Sequence, residues 1–151
     1  MKHWPLLYVA PFCLLVVSAQ AEAPSPWVAQ IKVSRGLVNI ERDGQRYPGP
    51  IGARLKENDV VVTAGNGSAG LMFLDNSMLS LGPDAEVALQ RYSYDPTTYI
   101  GAFDAVVKRG SVSVTTGNIV SQSADAMRLS TPDAELQAGK PGSYAISVEG
   151  R

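Results

Sequence analysis

Histidine and cysteine are nearly missing from this chain of 151 residues, which contains one of each. His3 and Cys13 both stand close to the N-terminus. A catalytic triad needs a base that titrates near neutral pH, normally histidine, and zinc and copper sites are built largely from histidine and cysteine. The sequence beyond Cys13 therefore predicts no disulfide, no histidine-based nucleophilic site and no metal site of that kind.

Helical periodicity is the second thing that the sequence lacks. A helix with one buried face repeats its apolar residues at spacings of three and four, and no stretch of useful length does so. Instead, 14 glycines and 10 prolines separate short apolar runs, which indicates many turns and few long helices. With 45% hydrophobic and 18% charged residues, the composition is that of a globular domain with a short appendage.

The N-terminus has the three parts of a secretory leader. Lys2 precedes an apolar stretch from Trp4 to Val17, and residues 18–21 end in the small-residue pattern that signal peptidase prefers. The alternative is a membrane anchor. However, the apolar stretch is shorter than the roughly 20 residues of a membrane-spanning helix, and Pro5 and Pro11 interrupt it. The pattern predicts a cleaved signal peptide over residues 1–21.

Cleavage after Ala21 defines the expected mature protein. A lipid anchor on Cys13 is not expected, because Phe12 precedes this cysteine where a small residue is usual. Residues 22–27 are predicted to be a flexible lead-in and residues 28–151 a single β domain, in the periplasm or secreted. The mature chain keeps twelve basic residues against fourteen acidic ones, which argues against a nucleic-acid partner.

Polar and apolar residues alternate along several segments, which is typical of strands with one buried face. Two central segments, 60–62 and 69–74, are apolar on both faces and are predicted to be interior strands covered on both sides. Glycine and asparagine in 64–68, and the Asp-Asn-Ser step in 75–77, predict tight reversals. The alternating segments, with their predicted inward residues, are 28–34 (Ala29, Ile31, Val33), 38–41 (Val38, Ile40), 86–90 (Val87, Leu89), 111–115 (Val112, Val114) and 143–149 (Tyr144, Ile146, Val148).

Roughly nine or ten short strands at this spacing predict an all-β sandwich, jelly roll or barrel. The ordered residues of these strands and turns resemble those of the FecR domain family over nearly the whole mature chain. The resemblance implies a jelly-roll-like β-sandwich with a role in periplasmic signalling. It rests on Gly36 and Val38, Ile51-Gly52, Leu55, Asp59, Thr63-Ala64-Gly65, Gly67-Ser68-Ala69, Leu71, Phe73, Asp75-Asn76-Ser77, Leu79, Leu81, Ala85-Glu86, Gly110, Thr131-Pro132 and the segment from Tyr144 to Val148.

Two departures from the family limit what the resemblance implies. Family members usually carry Gly-Thr before the last strand, where this chain has residues 140–143, Lys-Pro-Gly-Ser. Signalling members also place a sigma-factor-binding segment and a transmembrane helix before the domain, whereas only the predicted leader precedes it here. We therefore expect a periplasmic binding or interaction module that does not itself contact a sigma factor.

Three tyrosines are the candidate partner-binding residues. Tyr92, Tyr94 and Tyr99 flank a turn that contains Asp95 and Pro96. Tyrosines on a proline-braced loop are rigid amphipathic contacts that suit a protein or a sugar. The alternative interpretation is that they close one end of the sandwich and pack on Phe103.

Charge is distributed unevenly along the chain. Residues 32–56 contain six basic side chains against two acidic ones, and residues 75–104 contain five acidic side chains against Arg91. Such asymmetry suits a charged partner or an anionic polysaccharide, or it reflects two solvated faces. Asp75-Asn76 and residues 57–59 offer only part of a calcium shell and are better explained as turn residues.

The favoured function is a non-enzymatic binding or interaction module whose loops contact an envelope protein. The alternative is a carbohydrate- or cell-wall-binding jelly roll, which the tyrosine loop also suits. A third class, a hydrolase that uses carboxylates alone, would need two acids that face each other in a cleft. The sequence predicts no cofactor, no metal and no membrane span in the mature protein.

Overall fold

The chain folds as an all-β structure, and the computed structural model describes residues 27–149. The predicted signal peptide and most of the lead-in lie outside these residues. Trp27, which the sequence pattern assigned to the lead-in, is the first residue of the first strand. The twelve strands are β1 (Trp27–Arg35), β2 (Val38–Arg42), β3 (Gln45–Pro48), β4 (Arg54–Lys56), β5 (Val60–Thr63), β6 (Ser68–Phe73), β7 (Met78–Leu81), β8 (Glu86–Tyr94), β9 (Gly101–Thr115), β10 (Met127–Ser130), β11 (Glu135–Gln137) and β12 (Ser143–Val148).

Twelve strands exceed the predicted nine or ten because β3, β4 and β11 are short and lack a clear alternation. Within residues 27–149 the helical content is one 3₁₀ turn, Asn118–Val120. That stretch has no helix with the length and apolar character needed to cross a membrane.

The strands form one curled sheet in the order β3-β2-β5-β8-β9-β7-β6-β1-β4. The long strand β9 stands in the middle and belongs to both halves. Its first part pairs with β8 and, in parallel, with β10, which carries β11 at its far side. Its second part pairs antiparallel with β7 and with β12. Every other pairing is antiparallel.

Gly110 marks the point where β9 passes from one half to the other. Its φ is +82°, a value that residues with a Cβ rarely adopt. A Cβ here would lie 2.5 Å from the Cα of Ala85 and 2.8 Å from the carbonyl oxygen of Asp84. Both the backbone angle and the close approach of the chain before β8 therefore require glycine.

The two halves of the sheet face each other across one apolar core. Phe73 of β6 and Phe103 of β9 belong to opposite halves, and their ring centroids are 4.5 Å apart in an edge-to-face arrangement. Side chains that are fully buried come from both halves, and they confirm the predicted sandwich-like fold. The largest are Ile31, Leu55, Leu71, Leu79, Phe103, Ile119, Met127 and Leu129.

Alternation predicted the buried face correctly along most strands. Val87 and Leu89 of β8 and Val112 and Val114 of β9 are all buried, as expected. Tyr144, Ile146 and Val148 of β12 are half-buried against the core, and Val33 is the clear exception, with 42% of its surface exposed. The pairing of β1 with β6 shifts register between Ile31 and Val33, and such a bulge reverses the side on which the next residues lie.

For the two segments that are apolar on both faces, the predicted interior position is confirmed, but the predicted cover on both sides is wrong. Strand β5 lies between β2 and β8, and β6 lies between β7 and β1, so both are interior strands. However, their outer faces are not covered: Val60, Val62 and Met72 are half-buried, and Leu74 is 54% exposed. A sandwich of two layers covers each strand on one side only, which explains the difference.

One of the two predicted reversals is a hairpin and the other is not. Residues 75–77 join β6 to its antiparallel partner β7, and Asn76 has the positive φ expected of such a turn. Residues 64–67 instead carry the chain from β5 in one half to β6 in the other. The positive φ nearby belongs to Gly36, which lies in the separate β1–β2 connection, and a Cβ on Gly36 would lie 2.1 Å from the carbonyl oxygen of Asn66.

Candidate functional site

Tyr92, the first predicted partner-binding residue, is buried in the core. Its ring packs against Phe73 and Phe103, with centroid distances of 5.3 and 5.6 Å. The register of β8 and β9 shifts between Leu89 and Arg91, so the alternation that buries Leu89 resumes with Tyr92 facing inward. The alternative interpretation, packing on Phe103, is what the structure shows for this tyrosine.

The hydroxyl of Tyr92 belongs to a buried polar network around Asp75. One carboxylate oxygen of Asp75 accepts hydrogen bonds from the Tyr92 hydroxyl at 2.9 Å and from the Ser77 amide at 3.3 Å. The other accepts from the Ser77 hydroxyl and from the Ile119 amide, the latter at 3.3 Å. Both Asp75 and Ser77 are fully buried. The network therefore fixes the β6–β7 turn to β8 and to the 3₁₀ turn, away from solvent.

Burial raises the pKa of Tyr92 well above its ordinary value, and the neighbouring Asp75 carboxylate raises this pKa further. A neutral phenol that donates to a carboxylate is the stable arrangement in such a site. This tyrosine has a structural role, and the hydroxyl of Ser77, which donates to the same carboxylate, has one too.

Tyr94 and Tyr99 lie on the hairpin between β8 and β9. Their rings stack with a centroid distance of 6.5 Å and an interplanar angle of 16°. Tyr94 is half-buried and packs against the core, whereas 42% of Tyr99 is exposed. The inner tyrosine therefore supports the outer one at the protein surface.

Asp95 shapes the turn that presents Tyr99. Its backbone carbonyl accepts from the Tyr99 amide at 2.8 Å, and its carboxylate accepts from the amides of Thr97 and Thr98 at 2.8 and 3.4 Å. The hydrogen bond from Thr97 is the largest cause that lowers the pKa of Asp95. An aspartate side chain that binds its own turn in this way is a common turn-forming device.

The backbone of Tyr99 is in the left-handed region, with a φ of +61°. For a bulky side chain this conformation costs about 1–2 kcal/mol and is uncommon. Ile100, the next residue, is 63% exposed. We call Tyr94, Tyr99 and Ile100 the hairpin tip. It displays an aromatic and a branched aliphatic side chain from a strained turn.

The acidic residues of 75–104 do not converge on one surface. Asp75 is buried in the network described above. Glu86 lies 3.6 Å from Lys108 and 3.8 Å from Arg109. Asp104 forms an ion pair of 2.8 Å with Arg91. Two of the five acids in this part of the sequence are therefore paired with cations within the fold, and Asp75 is taken up by the buried network.

Of the six basic residues of 32–56, two form ion pairs with carboxylates and four do not, among residues 27–149. Arg42 binds the buried Asp59 through two hydrogen bonds of 2.7 and 2.6 Å, and the bond to Asp59 is the largest cause that raises the pKa of Arg42. Arg46 pairs with Glu41 on the surface. Among residues 27–149, the other four have no carboxylate within 4 Å: Lys32, Arg35, Arg54 and Lys56.

Carboxylates also line two surface clefts, which bears on the hydrolase alternative. One cleft, of about 440 Å³, is lined by three acids together with two basic residues, and a second is lined by two acids beside two arginines: Glu86, Asp133, Glu149, Lys108 and Arg109 in the first, and Glu41, Asp43, Arg42 and Arg46 in the second. Each cleft holds basic side chains next to the acids. Between Trp27 and Glu149, no three histidine, cysteine or acidic side chains are grouped closely enough to hold a metal ion.

Comparison with known proteins adds no relative. No protein-family model matches the sequence. No curated protein and no solved structure matches the chain either.

Sequence reasoning found two of the three residues of the hairpin tip and missed Ile100. The sequence does not show that Ile100 is exposed, because an isoleucine just before a strand is normally predicted to face the core. The sequence also does not reveal that Lys32 and Arg54 have no carboxylate partner in the described part of the chain. This depends on which strands lie beside β1, and no short motif records that.

Proposed function

We propose that this protein is an exported, non-enzymatic interaction module of the FecR-like type, which binds an envelope protein. Support for export comes from the leader-like N-terminus, and support for the FecR type comes from the ordered strand and turn residues. The all-β sandwich is the kind of scaffold on which such a module presents its loops.

The hairpin tip is the observation that carries the proposal. Tyrosine is enriched among the residues that dominate binding at protein interfaces, and the exposed Ile100 adds apolar surface beside Tyr99. The stack on Tyr94 and the Asp95 turn hold Tyr99 in place before binding. Because a side chain that is already ordered loses little conformational entropy on binding, such a tip gains affinity from its rigidity.

Photocrosslinking in intact cells tests this function. A photoreactive amino acid at position 99 is compared with the same probe at position 47, since Tyr47 is 43% exposed and lies on the edge strand β3. We expect position 99 to crosslink a discrete envelope protein that position 47 does not. The crosslinked band should disappear when Ile100→Ser is introduced at the neighbouring position.

A second arm separates the protein partner from a glycan. Purified protein with Tyr99→Asn is compared with Tyr47→Asn in binding to isolated cell-wall material and to solubilised membrane proteins. Asparagine tolerates the left-handed conformation of residue 99, so the change removes the ring without straining the turn. Loss of membrane-protein binding in Tyr99→Asn alone supports the proposal. Loss of cell-wall binding alone supports the carbohydrate-binding alternative, and equal binding by both variants overturns both.

A further inference from the structure

An open cleft of about 450 Å³ lies on the outer face of the half-sheet formed by β4, β1 and β6. Its polar lining comes from Gln30 and Lys32 of β1 and Arg54 of β4, and its apolar lining includes Trp27, Met72 and Leu74. The residues that line the cleft belong to β1, β4 and β6 and to Leu74 after β6, whereas the hairpin tip belongs to the β8–β9 connection. The two surfaces therefore share no residue.

Strand register places the two cations on either side of one amide. Gln30 is directly opposite Arg54 in the β1–β4 pair, an arrangement that separates Cβ atoms by about 5 Å. The ammonium of Lys32 donates to the Gln30 side-chain oxygen at 2.7 Å. The Gln30 amide in turn donates to the carbonyl of Gly52 at 3.2 Å, so the amide is fixed from both ends.

The bulge in β1 contributes to this arrangement. The register against β6 shifts between Ile31 and Val33, and Lys32 is the residue at the shift. Bulges re-aim side chains and are common next to functional sites. Here the shift accompanies the contact of Lys32 with Gln30 on the cleft side of the strand.

Positive charge in the cleft has no acidic partner among residues 27–149. Within the described part of the chain, no carboxylate lies within 4 Å of Lys32 or Arg54, and no acidic residue lines the cleft. This contrasts with Arg42, Arg46 and Arg91, each of which has its own acid. Two cations close to a neutral amide, of which Lys32 is hydrogen-bonded to that amide, are complementary to an anion from solution.

We propose that the cleft around Lys32, Gln30 and Arg54 binds an acidic polysaccharide through the carboxylate or phosphate of a sugar unit. The planar guanidinium of Arg54 offers paired donors to either anion, and the Lys32 ammonium supplies the second charge. Met72 and Leu74 offer apolar surface to the carbon face of the ring. The free amide capacity of Gln30 suits a sugar hydroxyl.

The surroundings favour a polysaccharide over a nucleic acid. Nucleic-acid binding depends on a broad basic surface that follows the phosphate backbone, whereas here two cations stand in a cleft of limited size. The chain as a whole has a formal net charge of −1. Local charge rather than overall charge must therefore select the ligand.

Binding of defined acidic glycans by the purified mature protein tests the inference. The probes are polygalacturonate, which carries carboxylates, and a phosphomannan, which carries phosphate esters, with neutral dextran for comparison. The test variant is Lys32→Gln combined with Arg54→Gln. The control is Arg128→Gln combined with Lys140→Gln, which removes two charges from exposed residues that likewise have no ion pair among residues 27–149.

The expected result is binding of at least one acidic probe and none of dextran. Affinity should fall at least about tenfold in the cleft variant and stay within about twofold in the control variant, because charge-assisted hydrogen bonds dominate such recognition. The preferred probe then distinguishes a carboxylate from a phosphate ligand. Equal losses in both variants, binding to dextran, or no binding of the unmodified protein to either acidic probe would overturn the inference. None of these results depends on the hairpin tip.

Discussion

The hydroxyl of Tyr92 donates a hydrogen bond of 2.9 Å to the Asp75 carboxylate and accepts one of 3.0 Å from the Asp75 backbone amide. Two residues that are seventeen positions apart thus bind each other twice inside the core. Asp75 follows β6 in one half of the sandwich and Tyr92 belongs to β8 in the other. The pair is a polar link between the two layers.

Replacing Asp75 with asparagine should destabilise the protein although the side-chain shape is kept. All four groups that face the carboxylate are donors, two on each oxygen. In asparagine an NH₂ group, itself a donor, would replace one oxygen and face two of these donors. We expect the free energy of unfolding to fall by about 2–3 kcal/mol, since a buried hydrogen bond to a charged group is lost and a donor is left unsatisfied. Urea unfolding measures this loss. The exposed Asp133→Asn should change stability by less than about 0.5 kcal/mol, and a similar loss in both variants would contradict the role of the network.

Alkaline pH should destabilise the protein through Tyr92. Burial and the Asp75 carboxylate raise the pKa of this phenol in the folded state, whereas an unfolded tyrosine titrates at about 10. The stabilisation is therefore complete below pH of about 10. Above it, stability falls by about 1.4 kcal/mol per pH unit, because the unfolded chain loses a proton that the folded chain keeps.

Tyr92→Phe checks this dependence. The variant should be less stable near pH 7 because it lacks both hydrogen bonds, and its stability should decline less steeply between pH 10 and 11.5. Tyr47→Phe serves as the control because it alters an exposed tyrosine and leaves Tyr92 in place. The same steep decline in Tyr92→Phe as in the unmodified protein would show that another group causes it.

Gly110→Ala should be far more damaging than Gly44→Ala. Both glycines have positive φ, +82° and +75°, so alanine strains each backbone by about 1–2 kcal/mol. A Cβ at residue 44 meets nothing within 4 Å, whereas one at residue 110 meets the backbone of Ala85 and Asp84. We expect a loss of about 1 kcal/mol for Gly44→Ala and at least about 3 kcal/mol, or failure to fold, for Gly110→Ala. Equal losses in thermal unfolding would mean that strain alone, without crowding, decides the effect.

Arginine at position 42 should not be replaceable by lysine. Arg42 binds both carboxylate oxygens of the buried Asp59, and Asp59 also accepts from the Lys56 amide at 2.8 Å. Lysine cannot make the paired contact, so we expect Arg42→Lys to cost about 1–3 kcal/mol. Arg46→Lys alters an exposed pair and should cost less than about 1 kcal/mol. Chemical denaturation of both variants measures the difference, and the prediction is wrong if Arg46→Lys is the more harmful change.

The sequence predicted the fold class well because period-two alternation depends only on each strand having one core-facing side. Val112 and Val114 illustrate this: their burial follows from alternation without knowledge of their neighbours. Alternation failed where a strand changes register against its partner. The shift in β1 exposes Val33, and the shift in β8 turns Tyr92 into the core. A bulge is a property of two paired strands, so a single strand's residues do not reveal it.

The candidate surfaces were harder to predict for a related reason. Tyr94 and Tyr99 were identified from their spacing around the Asp95 turn, and the structure brings their rings together. The cleft at Lys32 required knowing that β4 pairs with β1, which places Arg54 opposite Gln30. That pairing joins residues more than twenty positions apart through a strand of only three residues. No local pattern marks so short a strand.

The passage of β9 through both halves of the sandwich has a consequence for how the protein opens. Amide groups of residues 101–109 and of residues 111–115 lie in different layers but on one unbroken strand. Neither layer can detach without taking part of that strand from the other. Hydrogen exchange of the innermost amides on either side of Gly110 should therefore report a single global event, and the two sheets should behave as one cooperative unit.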